Sequence, residues 1–256
     1  MKNALFDKFR ALVEQAFVPI FVKDDFDTET LLAGCTLAGA RVMEYTLRRE
    51  DAAAVIPTLK KRFPDRVVFV GSTIDCQPIV QGMKAKYPQL MSIPELAPHV
   101  DGFVSMLPYS DETLAHYRQT HLLLPAAETS GEALRQMRAG ATVIKVCGPD
   151  FSFSKQLHAA PTFSYCPTFL TGGVNLSRMD EAFAAGNILV AAGFDLILKG
   201  EDPQHLTPER VAECLLSYIN TAKAARAAQQ PCFAGIECLD DKAFAAALPN
   251  FTPILP

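Results

Sequence analysis

Short apolar runs, separated by stretches with a period of three to four residues, organise this chain. The runs are 17–23 (FVPIFVK), 40–46 (ARVMEYT), 67–73 (VVFVGST) and 102–107 (GFVSML), followed by 121–127 (HLLLPAA), 142–148 (TVIKVCG), 162–168 (TFSYCPT) and 187–193 (NILVAAG). Each is nearly continuous in apolar residues, as expected of strands covered on both faces by helices in a parallel sheet. The segments between them carry helix punctuation. Asp27 or Thr28 with Glu29 opens a helix that stops at Gly39. Ser130 caps another that stops at Gly140, and 175–186 repeats the arrangement. After Gly200 the pattern changes to one long amphipathic helix, 207–229, with Thr207 as cap and Pro208 in its first turn. The tail beyond Pro231 is mixed, with prolines at 249, 253 and 256.

Eight strands alternating with helices predict an α/β fold of the (β/α)8 TIM-barrel type. The expected layout is a barrel over 1–200 that includes an N-terminal helix, and a C-terminal helical extension over 201–256 packed on the barrel or on a neighbouring subunit. An open, doubly wound sheet is the competing architecture. No G-x-G-x-x-G follows the first run, which weakens the dinucleotide-binding version of it.

Composition narrows the function. The chain has 256 residues, 49% hydrophobic and 20% charged, enough apolar content for a large buried core. The net charge of −4, without a basic run, argues against a nucleic-acid partner, because phosphate neutralisation needs clustered Lys and Arg. Small anionic substrates need only one or two placed cations. The seven cysteines are odd in number and include no C-x-x-C pair, so reduced thiols in a cytoplasmic protein are expected. No apolar stretch has the length of a membrane span, and the first fifteen residues read as an amphipathic helix and not a signal peptide.

In a barrel, residues at the C-terminal strand ends face the active site. That rule selects Glu44, Thr46 and Arg48 after the second run, Ser72 and Thr73 after the third, Lys145 on the sixth, Thr171, Gly172 and Gly173 after the seventh, and Gly193 after the eighth. Lys145 lies among apolar residues. Such a lysine either reaches solvent or a counter-charge, or loses its proton and becomes nucleophilic. Lys23 also ends a run, but Asp24 and Asp25 follow it and it reads as solvated. Glu44 needs a partner: a structural ion pair with Arg41 or Arg48, or a proton-shuttling role opposite a lysine. The Gly172–Gly173 pair reads either as a plain strand-to-helix turn or as an anion turn at a helix start.

Together these residues resemble the 2-keto-3-deoxy-6-phosphogluconate (KDPG) and 4-hydroxy-2-oxoglutarate aldolase family. Phe17-Val18-Pro19-Ile20-Phe21 is similar to its VVPVI-like first strand. Gly39-Ala40-Arg41-Val42-Met43-Glu44-Tyr45-Thr46-Leu47-Arg48 matches its G-x-R-V-x-E-x-T-L-R hallmark, the most specific likeness. Gly71-Ser72-Thr73-Ile74 resembles its G-T-V turn, and 124–132 (LPAAETSGE) its L-P-G-x-x-T-x-S-E segment. Lys145 falls on its G-x-x-x-x-K lysine, and Cys166-Pro167-Thr168 with Thr171-Gly172-Gly173 on its C-P-T-G-G turn. The likeness spans roughly residues 10 to 196.

The resemblance implies a class I aldolase that cleaves a 2-keto-4-hydroxy acid to pyruvate and an aldehyde through a Schiff base on Lys145. Glu44 would move protons, and Arg48 and Thr73 would hold the substrate carboxylate. Pro125, Thr171, Gly172, Gly173 and Gly193 would contact substrate. No metal or cofactor is implied, since the iminium supplies the polarisation. The partner is a small 2-keto acid, and the family suggests a homotrimer. Three departures bear on the substrate. Cys147-Gly148-Pro149 replaces F-P-A, Phe169-Leu170 reads as an insertion, and Phe194 stands where the family has a phosphate-binding serine. The last two predict a preference for an unphosphorylated substrate such as 4-hydroxy-2-oxoglutarate over KDPG. The rival readings are a phosphate-binding barrel isomerase or epimerase, and a non-catalytic keto-acid-binding barrel.

Overall fold

The computed structural model of the protein describes residues 4–248; the prolines at 249, 253 and 256 lie outside them. Eight parallel strands form the sheet: β1 (Phe17–Phe21), β2 (Val42–Thr46), β3 (Val67–Thr73), β4 (Gly102–Ser105), β5 (Leu122–Leu124), β6 (Ile144–Cys147), β7 (Thr168–Thr171) and β8 (Leu189–Gly193). Each is hydrogen-bonded to its neighbour in the order β5-β4-β3-β2-β1-β8-β7-β6. The ring closes between the two ends of that order at Lys145. Its N–H donates to Pro125 O (2.8 Å), and its carbonyl accepts from Ala127 N (3.0 Å). This is a (β/α)8 barrel of the TIM type.

Alternation along the strands divides the core in two. Val18, Val42, Val67, Phe69, Val104, Leu122, Leu124, Val143, Phe169 and Leu189 fill the barrel interior. Phe17, Phe21, Met43, Tyr45, Val68, Val70, Phe103, Ile144, Val146, Leu170 and Val190 face the helix layer. The helix α1 (Ala4–Gln15) inserts Leu5, Phe6, Phe9, Leu12 and Val13 beneath the interior set and plugs its N-terminal end. Gln15 at its end bonds Phe17 O and Val42 O (both 2.8 Å), which stitches the bases of β1 and β2.

The outer layer contains α2 (Thr28–Leu37), α3 (Ala52–Arg62), α4 (Gln77–Lys84), α5 (Ile93–Leu96), α6 (Asp111–Tyr117), α7 (Ser130–Ala139), α8 (Ser152–Ala159), α9 (Met179–Ala184) and α10 (Phe194–Ile197). The punctuation in the sequence mostly marks these ends. Asp27 accepts from Thr30 N (2.8 Å) at the start of α2, and Gly140 ends α7 at φ +111°. The cap of α7 is Thr129 and not Ser130: Thr129 and Glu132 form a reciprocal capping box. Beyond residue 200, α11 (Pro208–Gln229) packs against α2, α9 and β1, and α12 (Asp241–Ala247) sets Phe244 edge-on against Phe6 and Phe9 of α1.

One strand is displaced from its predicted position. The apolar pattern puts the seventh strand at 162–168, yet 161–165 is a turn with Tyr165 exposed, and β7 begins at Thr168. Phe169 and Leu170 are therefore strand residues, paired with Leu189 and Val190, and not an insertion beside the ligand. Pro161 and Pro167 bracket the turn; the proline ring removes a ladder donor at each end.

Candidate active site

At the C-terminal end of the barrel a cavity of about 390 Å3 opens among Ile20, Glu44, Arg48, Ser72, Lys145 and Thr171, with Lys23 and Asp195 also on its wall. Larger surface depressions exist between helices; the one between α6 and α7 is lined by Arg118, Arg135 and Arg138 with Asp111 and contains no lysine or glutamate. The arrangement follows from strand phase. On β2, Val42 and Glu44 point inward while Met43 and Tyr45 point outward; Val143, just before β6, and Lys145 and Cys147 on it point inward. On both strands a polar position at the top replaces the aliphatic residue that the layer below carries.

Lys145 extends its ammonium across the interior to Ser105 O on β4 (3.1 Å). Among the described residues it has no carboxylate within ion-pair distance. Burial pushes its pKa below the ordinary lysine value, opposed by the charge of Glu44. Glu44 is 3% exposed, and its Oε2 has no hydrogen-bond partner. Burial raises its carboxyl to about 7, against the opposing pull of Lys145 and Arg48. The structural ion pairs open to it from sequence do not form: Arg41 pairs with Glu14, and Arg48 Nε donates to Ser72 Oγ (3.0 Å). Burial thus favours the neutral form of both the lysine and the carboxyl, the pair of states needed for a nucleophile and a proton donor.

Three residues expected at the substrate fall elsewhere. Thr73 is buried, its hydroxyl donating to Val104 O (2.9 Å) and bonded to Tyr109 (2.5 Å). A β-bulge between Gly71 and Thr73, with Ser72 at φ +63°, shifts the phase by one residue. Ser72 turns into the cavity and Thr73 turns out of it. Pro125 is buried in the β5–β6 seam and does not line the cavity. Phe194 is 2% exposed and packs edge-on against Phe21 at 4.9 Å, in the helix layer. It cannot crowd a bound group.

Thr171, Gly172 and Gly193 do line the cavity, while Gly173 lies one residue behind. Both glycines of the turn have positive φ (+86° and +69°), and a Cβ on Gly173 would stand 2.8 Å from Pro149 Cα. The helix expected to start here does not: a single 3-10 turn, 176–178, is followed by the six-residue α9. The cation of this turn, Arg178, is paired with Glu181 (2.9 Å), which it shares with Lys155, and donates to Pro149 O; it does not line the cavity. Lys23 is exposed, as its neighbours Asp24 and Asp25 suggest, and also reaches Asp195 at 3.0 Å at the cavity rim. Asp195 and Cys147 line the cavity although strand-end reasoning does not select them. The one sequence signal for Asp195 is its place two residues beyond Gly193.

Among the described residues no group of three or more His, Cys, Asp or Glu side chains could hold a metal ion, and no helix is long and apolar enough to cross a membrane. No protein-family model matches the chain. The 2-dehydro-3-deoxy-phosphogluconate aldolase of Pseudoalteromonas atlantica is 26% identical over 186 residues, covering 69% of this chain and 77% of that protein. The KDPG aldolase of Legionella pneumophila, with pyruvate captured as a covalent carbinolamine intermediate, superposes with a TM-score of 0.60 at 19% identity, covering 81% of this chain and 97% of the other. The Zymomonas mobilis 2-keto-3-deoxy-6-phosphogluconate aldolase gives 0.60 at 17% identity, over 83% and 97% of the two chains. In sequence the chain is thus similar to a KDPG aldolase, and in fold to KDPG aldolases of known structure.

Proposed function

We propose that this protein is an aldehyde-lyase: a class I aldolase that reversibly cleaves a 2-keto-4-hydroxy acid to pyruvate and an aldehyde through a Schiff base on Lys145. The observation that carries the reading is the buried Lys145 without a carboxylate partner, beside a Glu44 carboxyl raised to about 7. Burial disfavours the charged lysine and so favours the neutral amine that a nucleophile requires.

Neutral Nζ attacks the C2 carbonyl carbon, and the carbonyl oxygen takes up a proton to give a carbinolamine. Glu44 protonates the departing hydroxyl, water leaves, and the iminium forms. Glu44, now a carboxylate, accepts the C4 hydroxyl proton, directly or through a water. The C3–C4 bond breaks, its electron pair moves into the iminium as an enamine, and the aldehyde is released. Protonation of the enamine at C3 and addition of water return pyruvate and free Lys145.

Arg48, on the cavity wall and bonded to the neutral Ser72 hydroxyl, is the group to hold the keto-acid carboxylate. Thr171 and the Gly172 and Gly193 backbones would border the rest of the substrate, with Gly173 shaping the turn. The family likeness adds a homotrimeric assembly.

Incubation with pyruvate and borohydride, followed by peptide mass spectrometry, tests the reading. An aldolase of this class acquires a reduced pyruvate adduct on Lys145. An isomerase, an epimerase or a binding barrel acquires none.

A further inference from the structure

The cavity that holds Lys145 and Arg48 also carries an ion pair at its rim. Lys23, just past β1, meets Asp195, just past β8, at 3.0 Å; the two strands are neighbours in the ring. Asp195 lies back over Gly193: a Cβ built on that glycine would overlap Asp195 Oδ1. Only glycine leaves room for the carboxylate in this position. Asp195 also lies in the first turn of the short α10.

Counting charges on the wall then limits the substrate. The lining cations are Lys23, Arg48 and Lys145, and the lining acids are Glu44 and Asp195. In the aldolase reading, on which this step rests, Lys145 becomes the iminium and Arg48 holds the C1 carboxylate. Lys23 is neutralised by Asp195. Arg178, beside the Gly172–Gly173 turn, shares Glu181 with Lys155 and does not line the cavity. Among the described residues of the wall, no cation is left for a second anionic group. A phosphate or carboxylate at the aldehyde end would meet the Asp195 carboxylate without compensation. A hydroxyl there would donate to Asp195 and accept from Lys23.

We infer that the aldehyde half of the substrate is an uncharged, hydroxylated chain, and that Asp195, held by Lys23 over Gly193, is the residue that sets this preference. The chemical class is the unphosphorylated 2-keto-3-deoxy aldonic acids. The unphosphorylated preference expected from sequence is kept with a different cause, since Phe194 is buried away from the cavity. The exclusion extends to dicarboxylates such as 4-hydroxy-2-oxoglutarate.

The test is pyruvate condensation with glyceraldehyde, glyceraldehyde 3-phosphate and glyoxylate, run beside borohydride trapping of the same preparation. The wild-type protein is expected to favour glyceraldehyde over either anion by at least about tenfold in kcat/KM, the worth of one charge-assisted contact. Asp195→Ser, with the isosteric Asp195→Asn as the second variant in case serine perturbs the rim, should raise the phosphate-to-neutral ratio by about one to two decades. Trapping on Lys145 together with a preference for glyceraldehyde 3-phosphate or glyoxylate overturns the role of Asp195 and leaves the aldolase reading standing. So does a ratio that neither variant moves. Absence of trapping in the wild type overturns both.

Discussion

The Glu44 carboxylate occupies the space where residue 71 would carry a side chain. A Cβ built on Gly71 overlaps Oε1 and lies 2.9 Å from the carboxyl carbon. Glu44 and Gly71 sit on adjacent strands with their tops at the same level, Thr46 pairing with Gly71. The glycine is thus required by the acid on the next strand and not by its own backbone.

Gly71→Ala should therefore act as a mutation of Glu44. The methyl forces the carboxyl out of its pocket or strains the strand, at a cost of about 1–3 kcal/mol, or roughly 2–4 °C in Tm per kcal/mol for a domain this size. Activity should fall with it. Thermal unfolding and kcat on this variant check the point; a Tm and kcat both equal to wild type would show that Glu44 is free to move.

Glu44→Gln should separate catalysis from stability. Loss of a general acid–base group lowers kcat by about 10²–10⁴. Stability should move the other way. The folded carboxyl titrates near 7, above its ordinary 4.5, so the fold is most stable with the acid protonated and loses that advantage as pH rises from about 4.5 through 7. The shift corresponds to about 3 kcal/mol. Lys145, lowered instead of raised, contributes in the opposite sense as pH falls and is present in both proteins. Urea unfolding at pH 5 and pH 8 should show Glu44→Gln level with wild type at the lower pH and more stable at the higher. A structural ion-pair role for Glu44 would give the reverse at pH 8.

Arg48 is held by a neutral hydroxyl and faces the cavity. Arg48→Lys keeps the charge but removes the fork that fits a carboxylate, so KM for the keto acid should rise by about one to two decades with kcat less affected. Ser72→Ala should weaken binding less, because it only releases the guanidinium. Equal kcat losses with unchanged KM would place Arg48 outside carboxylate binding.

Much of the candidate site is legible in the sequence. Lys145, Glu44 and Arg48 stand out because a charge within an apolar run is costly, and because strand ends in a barrel converge. Where expectation and structure differ, the causes are local. Simple alternation selects Thr73, but the bulge at Ser72 inverts the phase, and a non-glycine residue at φ +63° leaves no mark in composition. The seventh strand falls later than its apolar pattern suggests because the 162–168 segment is as aromatic as a strand. Phe194 misses the ligand because one residue of phase separates the cavity from the helix layer. The Lys23–Asp195 pair joins residues brought together only when β8 closes on β1. Nothing near Lys23 in sequence points to the pair, although the solvated charge that Asp24 and Asp25 suggest agrees with its exposed side chain.

Every step of the mechanism depends on the nucleophile. Lys145→Met keeps much of the side-chain volume and removes the buried charge, so the variant should fold with a Tm at or above that of wild type. Pyruvate and borohydride should add one reduced pyruvate to Lys145 of the wild-type protein, seen by peptide mass spectrometry, and none to Lys145→Met, which should also lack aldol cleavage. Labelling at any other lysine, or cleavage retained by folded Lys145→Met, would contradict the Schiff-base mechanism.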